Sequence, residues 1–128
     1  MNTYKLPGKF YINFKALVSN ESLFLFQIKN KEALESIICK ICKDNKLILE
    51  YKNNKDEDKV VYLNFDILRE SEHDIVFEFN KSINAEIDNF FVCSIGSIKM
   101  DFSNSILYSP MYGFQENLKI YKFEKIDD

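Results

Sequence analysis

The chain has 128 residues, 46% hydrophobic and 29% charged, which is ordinary globular usage and enough length for an independent core, so wholesale disorder is excluded. Three glycines and two prolines exclude collagen-like and linker-like chains. A formal charge of −3 argues against a general nucleic-acid binder, and the length predicts one domain over 1–128.

Phe10, Ile12, Phe14, Ala16 and Val18 alternate with Lys9, Tyr11, Asn13, Lys15 and Leu17, a period of two that predicts a half-buried strand. A polar turn over 19–22 follows, then a second strand over 23–28 with apolar residues on both faces. Asn30 offers a side-chain oxygen to cap a helix, and Leu34, Ile37, Ile38 and Ile41 fall at i, i+3, i+4 and i+7. Glu32 near the start and Lys40 and Lys43 near the end suit a helix dipole, so the pattern predicts one main helix over about 31–44. Residues 46–52 and 60–67 predict a hairpin with a charged tip at 53–58. A strand over 75–79 comes next, after a polar link over 69–74. Ile83 and Ile87 at i, i+4 predict a short helix within 82–89. Strands over 90–95 and 98–102 meet at Gly96-Ser97, and a short strand covers 106–108. The last strand covers 117–125, where the apolar set changes phase between Leu118/Ile120 and Tyr121/Phe123, as at a bulge. The predicted fold class is α+β: a mainly antiparallel sheet of about 6–8 strands with the 31–44 helix packed on one face.

Phe, Tyr, Met, Ile, Asn and Lys make up 66 of the 128 residues, and lysine outnumbers arginine 16 to one. All six have AT-rich codons, so the bias reads as a bacterial gene from an AT-rich genome, and a lysine-rich face is not by itself a phosphate site. The lone Arg69 also argues against bidentate readout of guanine or phosphate. Cys39, Cys42 and Cys93 are odd in number and lack framework spacing, so no disulfide scaffold is predicted. The first residues carry no apolar signal region, and no apolar run approaches the roughly 20 residues of a bilayer span. The expectation is a soluble protein of a reducing cytoplasm with no membrane partner.

Cys39 and Cys42 form a C-x-x-C pair that Cys93 and His73 complete into a candidate Cys₃His zinc set. The pair falls inside the predicted helix, near its C-terminal end, where a zinc knuckle does not form and the dipole opposes a thiolate. Buried, inert thiols and an exposed loop histidine are therefore expected, with no metal and no cofactor. No Gly-rich phosphate loop, G-x-S-x-G or H-E-x-x-H motif is present, so no catalytic residues are assigned and no enzymatic activity is expected.

Charge is unevenly placed. Residues 1–64 are net +3 and residues 65–128 net −6, with a net −5 over 66–88. An acidic surface of Asp66, Glu70, Glu72, Asp74 and Glu78 would steer a basic partner. Tyr108, Tyr112 and Phe114 would fill pockets beside it. On this reading the chain is a non-catalytic binding protein, most specifically a cytoplasmic immunity protein that neutralises an antibacterial toxin such as a nuclease, with the free chain a monomer. The alternatives are a small metal- or thiol-dependent regulatory protein, or a small-molecule-binding domain with a cleft between sheet and helix.

Overall fold

The computed structural model describes residues 2–111 and 113–126. Eleven strands are present among them: β1 (Thr3–Lys5), β2 (Gly8–Ala16), β3 (Leu23–Asn30), β4 (Glu35–Ile41), β5 (Lys46–Lys52), β6 (Lys59–Asp66), β7 (Glu72–Phe79), β8 (Ile83–Ile87), β9 (Phe91–Ile95), β10 (Ile106–Tyr108) and β11 (Leu118–Lys125). They form two antiparallel sheets, a six-stranded sheet in the order β1-β10-β3-β4-β5-β6 and a five-stranded sheet in the order β11-β2-β7-β8-β9. The architecture is a jelly-roll-like β-sandwich, not the α+β fold with a main helix.

The expected helix over 31–44 is strand β4. Ile37, Cys39 and Ile41 are fully buried while Ser36, Ile38 and Lys40 face outward, a period of two. A free cysteine behaves as a small apolar residue, so Cys39 belongs to the buried set, and three isoleucines favour the pleated backbone. The helical spacing was a coincidence that needed Leu34, which is 63% exposed in a turn at φ 52°. Asn30 does offer its oxygen: Oδ1 accepts from the N–H groups of Glu32 and Ala33, both at 3.1 Å. It closes the β3–β4 turn rather than starting a helix.

Strand β8 replaces the short helix expected over 82–89. Ile83, Ala85 and Ile87 are buried and alternate with Asn84 and Glu86. Asp88 and Asn89, both at positive φ, then turn the chain into β9, a conformation that Asp and Asn tolerate better than most residues. The strand expected over 98–102 is absent; Asp101 instead accepts from Ser103 N–H (3.1 Å) and starts a short 3-10 turn, Phe102–Asn104. In β11 the register against β2 shifts between Ile120 and Lys122, where the apolar phase changes.

The inward faces of both sheets share one core. Phe10 and Phe14 of β2, Phe26 of β3, and Phe77 and Phe79 of β7 are fully buried. Phe26 meets Phe77 edge-on at 5.1 Å, and Phe77 stacks on Phe79 at 5.7 Å. Each such ring contributes about 1.5–3 kcal/mol on leaving water. His73 is a correction of the exposed-loop reading. β7 starts at Glu72, so the alternation turns His73 inward, where it is 5% exposed. Its Nδ1 lies 2.8 Å from Asp88 Oδ2 and its Nε2 2.8 Å from the Leu68 carbonyl oxygen.

Candidate functional site

The outward side chains of β4, β5 and β6 form rows fixed by register. Lys40 lies across from Ile48, and Ile48 across from Tyr62; Ile38 lies across from Glu50, and Glu50 across from Val60. Lys40 and Glu50 form an ion pair between these rows. β6 is an edge strand, so Tyr62 has a neighbour on one side only, and its ring is 56% exposed.

The β5–β6 register shifts between the Lys46 and Ile48 pairings. Asn64, exposed in this bulged stretch, adopts φ 57°, a left-handed conformation that asparagine accepts more readily than most side chains. The shift brings Lys46 opposite Asp66, and Lys46 Nζ donates to Asp66 Oδ1 at 2.9 Å. That hydrogen bond, with the carboxylate's charge, pushes the Lys46 ammonium above the usual lysine range. Lys46, Leu47, Tyr62, Asn64, Phe65 and Asp66 together line an open groove of about 590 Å³. It presents two aromatic side chains, Tyr62 and Phe65, with one amide, one ammonium and one carboxylate.

A second groove lies between loop residues 109–116 and β11, lined among others by Pro110, Met111, Gly113, Leu118, Tyr121 and Phe123. Gln115 anchors this loop: Nε2 donates to Phe24 O (2.8 Å) while Phe24 N–H donates to Oε1 (2.7 Å). The Gln115 amide is thus spent on structure, while Asn2, Glu116, Lys119 and Lys122 line this groove beside the exposed Tyr121 ring.

The acidic residues singled out in the sequence do not form one patch. Asp66 sits in the β5–β6 groove, paired with Lys46. Glu70, in the β6–β7 link, accepts from Val18 N–H at 3.0 Å. Glu72, Asp74 and Glu78 lie on the outer face of the five-stranded sheet, directly opposite Lys15, Asn13 and Lys9 of β2. Asp74 accepts from Asn13 Nδ2 (2.9 Å) and from Tyr11 Oη. The bond to Asp74 pushes the Tyr11 phenol up to about 12. Tyr108 is on the outer face of the six-stranded sheet with Lys29 Nζ 5.7 Å from its ring centroid; Phe114 is an exposed loop residue; Tyr112 lies outside the described residues.

The zinc set is not assembled either. Cys39 is buried in β4 and Cys42 follows that strand, whereas Cys93 and His73 belong to β9 and β7 of the other sheet. No group of three or more His, Cys, Asp or Glu able to hold a metal occurs among the described residues. Burial pushes the Cys39 thiol well up, and it also raises Cys42 and Cys93. Sequence reading missed Tyr62, Asn64 and Lys46. The one signal was an aromatic on the outward phase of the Val61/Leu63/Phe65 alternation, followed there by Asn64 and Asp66.

No helix among the described residues is long and apolar enough to cross a membrane. No family model matches the chain, and no curated protein matches it. Solved structures do share its fold. Sheep galectin-11 in complex with glycerol superposes with a TM-score of 0.65 at 8% identity, over 98% of this chain and 95% of that one. Danio rerio galectin-1-L2 gives 0.64 at 11% identity, over 95% and 93%. The carbohydrate-binding module CBM40 of a Ruminococcus gnavus IT-sialidase, bound to α2,3-sialyllactose, gives 0.57 at 11% identity, over 89% and 74%. These likenesses overturn the expectation of a toxin-neutralising immunity protein with a basic protein partner. The chain shares its fold with these proteins, and the acids meant for a toxin are opposed by lysines or engaged in hydrogen bonds within the chain.

Proposed function

We propose that the chain is a single-domain, non-catalytic carbohydrate-binding protein that takes a sugar in the β5–β6 groove. The observation that carries this reading is the half-exposed Tyr62 ring beside Lys46, Asn64 and Asp66. A pyranose has an apolar C–H face and a rim of hydroxyls. The face packs on the Tyr62 ring, as aromatic side chains with a polar tip favour. Hydroxyls on the rim donate to Asp66 and accept from Lys46 Nζ and the Asn64 amide. Hydrogen bonds to charged groups are roughly twice as strong as neutral ones. The Lys46–Asp66 pair orders both heads before the ligand arrives. The named sugar ligand of the Ruminococcus gnavus module supports the ligand class. Binding alone fits the groove, because glycoside hydrolysis needs two carboxyl groups and Asp66 is the single one lining it.

A glycan array followed by calorimetry with lactose and sialyllactose tests the reading. The expected result is saturable binding of at least one glycan at millimolar Kd or tighter, about 4 kcal/mol or more. Tyr62→Ala should weaken it at least about tenfold with the melting temperature nearly unchanged, because the ring is exposed. An empty array, or full binding by the Tyr62→Ala protein, would contradict it.

A further inference from the structure

The two sheets treat their outward lysines differently. On the five-stranded sheet the register sets Lys9 and Lys15 of β2 directly opposite Glu78 and Glu72 of β7. On the six-stranded sheet Lys5 of β1 and Lys29 of β3 flank Ile106 of β10, and Lys29 and Lys52 of β5 flank Ser36 of β4. These residues form one row across adjacent strands, Lys5–Ile106–Lys29–Ser36–Lys52, with no acid in it. Its lysines are exposed, and none of them is in a salt bridge among the described residues. Successive lysines lie two strands apart, about 9–10 Å at the usual strand spacing.

The surroundings keep the row positive. Lys125 Nζ donates to the Lys5 carbonyl oxygen at 2.9 Å, so a further ammonium stands at the β1 end. Of the outward carboxylates on this sheet, Glu50 is paired with Lys40 and Asp66 with Lys46. In the β3–β4 turn Lys31 offsets Glu32. Asp56, Glu57 and Asp58 lie in the β5–β6 turn, beyond the Lys52 end of the row and between Lys55 and Lys59. Ammoniums about 10 Å apart, one Debye length at 0.1 M salt, act together on an anion that spans them.

We infer that this row is a docking surface for a linear anionic polysaccharide, sulfated or uronate-bearing, laid across the strands. The inference rests on the proposed function for its ligand class, a glycan, and it puts the charged part of that ligand on the sheet that carries the β5–β6 groove. Charge and spacing select the occupant. A polysaccharide with an anionic group on each disaccharide repeats its charge at a distance close to that between successive lysines. Duplex nucleic acid carries a charge about every 1.7 Å of its axis, far denser than the row, and the net charge of −3 opposes it. Lysine ammoniums act as point charges without a fixed fork, so sulfate and carboxylate both serve as partners. Between the lysines, the half-buried Ile106 and Ser36 offer the sugar rings an apolar contact and a hydroxyl.

Fluorescence-anisotropy titration of labelled chondroitin sulfate oligosaccharides with the full chain tests it, with a DNA oligonucleotide and poly-glutamate of matching charge as rival anions. The expected result is saturable binding of the polysaccharide at about 20 mM salt that weakens at least about tenfold by about 150 mM, as several ammonium contacts require. Replacing Lys5, Lys29 and Lys52 together by glutamine should weaken binding at least about tenfold, with the melting temperature nearly unchanged because these side chains are exposed. Lys15→Gln, on the other sheet, should leave binding unchanged. No binding at low salt, a triple variant as tight as wild type, or a rival anion held as tightly as the polysaccharide would overturn the proposal. Lactose bound with chondroitin sulfate ignored would overturn this inference alone, whereas no binding of any glycan would overturn the proposed function with it.

Discussion

Arg69 ties together links that neither sheet holds by itself. Its Nε donates to Asn45 Oδ1 (2.7 Å), one terminal nitrogen to Leu17 O and Ser19 Oγ (both 3.0 Å), and the other to Glu21 O (3.1 Å) and Cys42 O (3.2 Å). A planar fork meets five acceptors at once, which an ammonium cannot do. Arg69→Lys should therefore lose about 2–3 kcal/mol in urea unfolding, the scale of hydrogen bonds to a charged donor; a loss under about 0.5 kcal/mol would contradict this. Tyr11 gives a pH signature. Its phenol is pushed up to about 12 by Asp74, while in the unfolded chain it titrates near 10. Raising the folded value leaves stability intact below pH 10 and removes it as pH climbs toward 12, because the unfolded chain releases its proton first. Melting curves of wild type and Tyr11→Phe should differ by a constant below pH 9, and the wild-type advantage should shrink between pH 10 and 12. Cys39, fully buried with its thiol pushed well up, should resist iodoacetamide at neutral pH until the protein unfolds, as mass spectrometry of the labelled peptides would show.

Individual strands were legible where one face is apolar and the other polar. β2 is the clearest: Phe10, Ile12, Phe14 and Ala16 are buried and the residues between them are not. β4 was not legible because Ile38 is an apolar residue on the outer face, which completes a helical i, i+3, i+4, i+7 set by chance. The competing period emerges only when Cys39 is counted as apolar and when β3 and β5 supply hydrogen bonds on both sides. Short apolar segments of this kind take their structure from their neighbours more than from intrinsic propensity. Asn30 was read as a cap, and its acceptor role stands, but the segment it closes is a turn between strands. Asn30→Ala should cost about 1–2 kcal/mol, for two hydrogen bonds at a buried position, and a neutral effect in thermal unfolding would remove this account of the β3–β4 turn.

At the scale of the whole molecule, the charge asymmetry along the chain is real, but folding divides it. Asp66 goes to the β5–β6 groove, and Glu72, Asp74 and Glu78 go to the other sheet, opposite Lys15, Asn13 and Lys9. A run in sequence becomes a patch in space only if the strands that carry it lie side by side, and sequence does not state strand order. The same gap hid the groove. Tyr62 is visible as an outward aromatic, but its closeness to Lys46, sixteen residues away, comes from the β5–β6 register and its shift. The measurement that tests the central claim most directly is a heteronuclear NMR titration of the full chain with lactose and with sialyllactose, up to about 20 mM, enough to saturate a millimolar site. The account predicts saturable shifts centred on the amides of Lys46, Tyr62, Asn64 and Asp66 for at least one sugar. Shifts confined to the 109–123 groove, or no shifts with either sugar, would contradict it.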